Sequence, residues 1–169
     1  GTIQARTKVD IASNIMGQII ELGVEEGQTV SKGDLLLVID PARYNSAVDG
    51  RRAGVESLQS ELARLREAAA QAARDLARAE QQFHDDILPA AEYDRAKSMA
   101  MQTESAVLTA ERQVAQGRAD LQAARDELQK TEIRAPMSGL ITRRNVEKGE
   151  VVVTGTMNNA GTVLMTISD

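Results

Sequence analysis

Apolar positions along the chain follow two different periods, and the change from one to the other falls at a single dipeptide. Residues 35–39, "LLLVI", form an unbroken apolar run of strand length, with Gly33 before it and Asp40-Pro41 after it. Beyond Pro41, steps of four and three alternate: Tyr44, Val48, Arg51, Val55, Leu58, Leu62, Leu65, Ala69, Ala72, Leu76, Ala79 and Phe83. That alternation is the heptad seam of a coiled coil, and it predicts a long helix. Asp40 offers an oxygen to the first free helix N–H groups, and Pro41 suits the first helical position, where no N–H is needed. Arg51 is the only charge on the seam; its stem can pack while its head reaches water.

The pattern breaks at "HDDILP" (84–89) and resumes at Tyr93, Ala96, Ala100, Thr103, Val107, Ala110, Val114, Gly117, Leu121, Ala124 and Leu128. Two arms of nearly equal length predict an antiparallel helical hairpin over 41–130, with its tip near 84–89. Each arm of about 40 residues reaches roughly 60 Å at 1.5 Å per residue. Folding the arms about that tip sets Leu76 beside Ala100, Ala69 beside Val107, Leu65 beside Ala110 and Leu58 beside Gly117. Large meets small at each step, which gives a thin seam. The Glu and Arg of "RLREAAAQAARDLARAEQQ" (64–82) read as a solvated outer face.

Outside the helical segment the pattern is short strands punctuated by glycine, and it occurs twice. "MGQIIELGVEEGQTVSKG" (16–33) matches "SGLITRRNVEKGEVVVTG" (138–155). Gly17, Gly27 and Gly33 have the same spacings as Gly139, Gly149 and Gly155, with Val24-Glu25 answered by Val146-Glu147. Each copy closes on an apolar run, "LLLVID" (35–40) and "VLMTIS" (163–168), and the second carries an extra loop at "TMNNAG" (156–161). Such self-similarity predicts two equivalent units. Neither can cover its own strands, so the two close on each other as one sandwich built from 1–40 and 131–169, with Ile19, Ile39, Ile141 and Ile167 in its core. The fold class is therefore α+β: a β-sandwich interrupted by a long antiparallel α-helical coiled-coil hairpin.

Composition narrows the function. The 169 residues include one Phe, two Tyr and no Trp, too few aromatics for a thick core. A formal net charge of −5 argues against a nucleic-acid partner, since neutralising phosphates requires a basic surface. The absence of Cys excludes disulfides and thiolate sites. No apolar run approaches the roughly 18 residues needed to span a bilayer, and no signal peptide is visible. Strand-like patterns at both ends, Ile3 to Ile11 and Val163 to Ile167, suggest a piece of a longer chain. No catalytic constellation, Gly-rich phosphate loop or cofactor site stands out. His84, the only His, adjoins Asp85 and Asp86, but a polar turn explains the three better than a cation site, and zinc needs more N or S ligands. Met16, Met137 and Met165 read as core or edge packing of the sandwich, and Met99 and Met101 point to different sides of one helix.

The two half-repeats resemble the halves of a lipoyl or biotinyl domain, a small flattened β-sandwich with pseudo-twofold symmetry. In carriers of that fold, the turn joining the halves bears a modified Lys. Here that place is Asp40-Pro41 and the long insertion, and Lys32, Lys130 and Lys148 lie elsewhere. A lipoyl-like sandwich split by a helical hairpin is similar to the membrane fusion proteins, or periplasmic adaptors, of tripartite efflux pumps and type I secretion systems (HlyD-like and MacA-like). "VEEGQTVSKGDLLLVID" (24–40) and "TEIRAPMSGLITRRNVEKGEVV" (131–152) carry the likeness, which covers essentially the full chain.

The resemblance implies a non-enzymatic periplasmic adaptor linking an inner-membrane transporter to a TolC-like outer-membrane channel. General likeness favours an ABC exporter over an RND pump. It also implies a homo-oligomer, a hexameric ring in the full assembly, and an N-terminal inner-membrane anchor outside this segment, with "GTIQA" (1–5) ending an upstream strand system. Adaptors that dock on TolC-type channels carry an Arg at the tip, a Leu four later and a Ser seven after that. Arg78 falls at the Arg, while Gln82 and Pro89 take the other two places. The partner-binding tip implied in this way comprises Arg78, Phe83 and Leu88. The other readings are a lipoyl or biotinyl carrier and a free-standing coiled-coil scaffold.

Overall fold

The strand-to-helix junction sets the frame. The computed structural model describes residues 7–156 and 161–169. Strand β4 (Leu35–Ile39) ends at Asp40, whose Oδ1 accepts the Ala42 N–H at 3.0 Å. The Pro41 carbonyl accepts the Asn45 N–H at 2.8 Å, so helix α1 (Ala42–His84) begins with a capping carboxylate and a proline that has no donor to lose. Helix α2 (Ala90–Gln129) follows. Strands β1 (Lys8–Ala12), β2 (Gly17–Leu22) and β3 (Thr29–Val30) precede β4; β5 (Glu132–Arg134), β6 (Gly139–Arg144), β7 (Val151–Val152) and β8 (Val163–Ser168) come after α2.

The strands form two antiparallel sheets, ordered β1-β8-β6-β3 and β5-β4-β2-β7, and both sheets mix strands from the two ends of the chain. The sequence repeat is a structural one. β2 and β6 share one burial alternation, and β3 and β7 another. The Gly27 N–H donates to the Ile141 carbonyl at 2.8 Å, and the Gly149 N–H donates to the Ile19 carbonyl at 2.8 Å. Ile19 N–H reaches the Glu150 carbonyl, and Ile141 N–H the Gln28 carbonyl, at 2.8 and 2.9 Å. The tight turns at Gly27 and Gly149 that allow this exchange have φ of 89° and 94°, which only glycine adopts without penalty. Even the irregularities correspond: a bulge between Ile19 and Glu21 on β2 answers one between Ile141 and Arg143 on β6.

The core lies between the sheets. Ile19 pairs across strands with Ile39, Ile141 with Ile167, and all four are fully buried, as the alternation predicts. Leu36, Leu37, Val152, Leu164 and Met165 complete it. Met137 is partly buried, but Met16 is 47% exposed, which corrects its reading as packed. It precedes Gly17, the residue that lies against Ile39, and so faces out, while its carbonyl accepts the Tyr44 hydroxyl at 2.8 Å. Residues 1–5 and most of the extra loop at 156–161, for which an upstream strand end and a longer connection are expected, lie outside the described residues.

The chain divides into two compact units, residues 1–48 with 124–169, and residues 49–123. Helix residues 42–48 and 124–129 therefore fall in the same compact unit as the strands. Tyr44 on α1 is buried in the sandwich core, with Leu128 of α2 packed against it, so the helix ends belong to the first unit. Within the second unit α1 and α2 run antiparallel. Leu62, Ala110 and Val114 are buried between them, flanked by Leu58, Leu65 and Val107. A Cβ on Gly117 would lie 2.9 Å from Leu58 Cδ1, which sets Leu58 opposite Gly117 as the heptad register predicts. Arg66 bonds Glu111 across the helices at 2.8 Å, and Arg51 extends to Asp120 at 4.0 Å with its head in solvent.

Candidate partner-binding site at the helical turn

Sequence alone predicts a break between the two helices, and the backbone shows how it is made. The Ile87 N–H donates to the Gln82 carbonyl at 2.9 Å and the Asp86 N–H to the Phe83 carbonyl at 3.1 Å. These two bonds are the Schellman closure of a helix C-terminus. Its left-handed position is held by Asp86, with φ of 57°, in the place glycine usually takes. The Leu88 N–H also turns back to the Gln82 carbonyl, at 3.3 Å. Pro89 then starts α2, its carbonyl accepting from Glu92 and Tyr93.

Phe83 and Leu88 come together at this turn, whereas Arg78 stands about 7.5 Å further down α1, five residues away at 1.5 Å each. Arg78 is ion-paired with Asp75 at 3.4 Å. Phe83 stacks on Tyr93, ring centroids 4.9 Å apart, and closes the end of the seam; it remains 41% exposed. Leu88 is half-buried. Two further residues at the turn are not marked by the sequence pattern. The periodicity gives Tyr93 only as a seam residue, and Ile87, 72% exposed, falls inside the break. A signal for Ile87 did exist: an apolar side chain between acids, off the heptad, has no seam to pack into. His84, Asp85 and Asp86 are all exposed, and no group of three or more His, Cys, Asp or Glu among the described residues could hold a metal ion. No described helix is long and apolar enough to cross a membrane.

The family model described as "RND MFP, barrel-sandwich hybrid domain" matches residues 7–165. The chain belongs to this family. Its curated relatives include the multidrug resistance protein MdtA of Escherichia coli (strain K12), 31% identical over 166 residues, 98% of this chain and 36% of that protein. MdtA of Salmonella heidelberg (strain SL476) matches to the same extent. The chain thus spans about a third of the length of the curated relatives it matches. Among solved structures, MacA from Actinobacillus actinomycetemcomitans superposes with a TM-score of 0.91 at 22% identity, over 98% of this chain and 50% of that one. That likeness shows the fold: the sandwich interrupted by two long helices is shared. The family places the chain among the membrane fusion proteins.

Proposed function

We propose that this chain is the sandwich and hairpin portion of a non-enzymatic periplasmic adaptor, which links an inner-membrane transporter to a TolC-like outer-membrane channel for efflux or secretion. The observation that carries this reading is the family match across residues 7–165. The lipoyl carrier reading loses support at the chemistry of the joint, where Asp40 caps a helix and no lysine is presented. The free-standing scaffold reading loses support from the helix ends, which pack into the sandwich core through Tyr44 and Leu128. Two classes of transporter fit the inner-membrane end. General likeness to MacA-like adaptors favours an ABC exporter, while the description of the matching family supports an RND pump.

A conduit between two membranes needs more than one hairpin of about 60 Å. The adaptor therefore works as a closed homo-oligomeric ring, hexameric by resemblance, in which different faces of neighbouring copies meet head to tail. An N-terminal segment holds it at the inner membrane, and the tip around Arg78, Phe83 and Leu88 meets the channel. The test belongs in the full-length protein within its membranes. Arg78→Glu and Phe83→Asp should each abolish export while the folded adaptor stays at the inner membrane and still copurifies with its transporter, whose identity as ABC or RND names the pump class. Unchanged export by both variants would remove the tip as the docking surface.

A further inference from the structure

The thioethers of the described methionines are unevenly placed. Met165 is fully buried and Met137 partly buried in the sandwich, whereas Met99 and Met101 on α2 are 53% and 61% exposed. They flank Ala100, a half-buried seam residue, and so look out on opposite sides of one helical turn. Each has an exposed cation one turn earlier on its own side, Arg95 before Met99 and Lys97 before Met101. This (i, i+4) spacing makes the two side chains of each pair neighbours. Arg95 and Met99 also line one cavity of about 300 Å³, with Ala72, Asp75, Glu92 and Ala96. Asp75 is engaged by Arg78, and neither Arg95 nor Lys97 has an ion pair among the described residues. Met16 is exposed as well, but no Lys or Arg lies within four residues of it in the chain.

A thioether beside an available cation suits one reaction in particular. A sulfur lone pair attacks the chlorine of hypochlorous acid and hydroxide leaves. Water then adds to the chlorosulfonium, chloride departs, and of the two protons released one neutralises the hydroxide. The sum is thioether plus hypochlorous acid giving sulfoxide plus hydrochloric acid; sulfur loses two electrons and chlorine gains them. The cation assists twice. It attracts the hypochlorite anion, and its N–H groups donate to the sulfoxide oxygen, a charge-assisted bond. Burial decides what oxidation does to the fold. A sulfoxide at Met165 would force a polar atom into the core, whereas at Met99 and Met101 the new oxygen meets solvent and its cation. Leu108, 50% exposed, lies seven residues from Met101 and shares its side of α2, so oxidation there breaks an outward apolar strip without unpacking the seam.

We propose that Met99 and Met101 are a reversible oxidation site for hypochlorous acid, with Arg95 and Lys97 as the cations that favour attack and hold the sulfoxides. The purified full-length protein is treated with limiting hypochlorous acid, and its peptides are followed by mass spectrometry over time. Met99 and Met101 should gain oxygen about tenfold faster than Met137 and Met165, with Met16 between the two groups. The oxidised protein should keep its melting temperature, and methionine sulfoxide reductases of both epimer specificities should together return the original mass. Arg95→Gln should slow oxidation at Met99 about threefold and leave Met101 unchanged, while Lys97→Gln does the reverse; both effects should shrink as salt rises. Met99→Leu/Met101→Leu, which keeps the side chains apolar and exposed, should lose the fast phase. Buried methionines that keep pace, unfolding on oxidation, or a product that resists the reductases would overturn the inference. Rates at both residues indifferent to Arg95→Gln and Lys97→Gln would overturn it too, because exposure alone would then account for the reactivity.

Discussion

Gly17 and Gly139 occupy equivalent places in the two half-repeats, yet a methyl group would meet different things there. At Gly17 it would lie 2.5 Å from Ile39 Cγ2, an atom on a side chain; at Gly139 it would lie 2.6 Å from the Ser168 carbonyl oxygen and 2.8 Å from Ile167 Cγ2. A side chain can turn away, but a carbonyl in a ladder cannot without breaking its strand. Gly139→Ala is therefore expected to cost more than Gly17→Ala, by about 1–3 kcal/mol, and urea midpoints of the two variants would decide it. Asp86→Gly should act in the opposite direction, because the left-handed backbone at φ of 57° strains a side chain. A gain of about 0.5–1 kcal/mol in thermal unfolding is expected, and a loss would mean that the Asp86 side chain stabilises the turn. At this scale the sequence was informative where a residue's partner was periodic. Ile19, Ile39, Ile141 and Ile167 could be placed from alternation alone, whereas Met16 faces out because of the neighbouring glycine, which no periodicity encodes.

Among the elements, α1 and α2 were the most legible, since the heptad seam repeats the same steric demand over eleven turns or so in each arm. Apart from Arg51 and Phe83, every seam position from Tyr44 to Leu128 is buried or half-buried. Those two exceptions are physical: a guanidinium seeks water, and Phe83 stands at the open end, where one side of the seam is solvent. Gly117 is the most sensitive point of the pairing. Gly117→Leu would push into Leu58 and Val55, at 2.9 and 3.4 Å from its first carbon, and should lower stability by about 1–3 kcal/mol. A melting temperature no lower than wild type would be incompatible with the Leu58–Gly117 contact. The repeat was less completely legible than the seam. Its glycines mark residues 16–33 and 138–155, but the same equivalence extends outward to β1 and β5, where Ile11 and Ile133 lie opposite Met165 and Leu37. Those strands carry no shared glycine, so their kinship is seen only in the ladder. The exposed Ile87 was hidden for a related reason, because its position depends on how a turn closes and not on a period.

For the molecule as a whole, each half-repeat completes the other: Gly27 and Gly149 each donate to the partner half, and each sheet takes strands from both ends of the chain. A strand order of this kind has a price in time as well as in composition. The halves of the first unit are separated in sequence by the whole of the second, residues 49–123, which must be spanned before β2 can find β7 or β3 find β6. Closing a flexible loop of about 90 residues instead of about 10 costs about 2 kcal/mol more in chain entropy. Helices form within about a microsecond, far faster than pairings between distant strands. If α1 and α2 zip first, they bring Asp40 and Thr131 together and remove most of that cost. Gly117→Leu should then slow refolding, while Ile39→Val should chiefly speed unfolding, a contrast that stopped-flow measurement of both limbs would reveal. Equal effects on the folding limb would mean the strands meet unaided. The reciprocal ladder thus makes the helical insertion a timer for the sandwich: until the insertion has folded, the exposed edges of β2 and β6 wait unpaired, open to another chain.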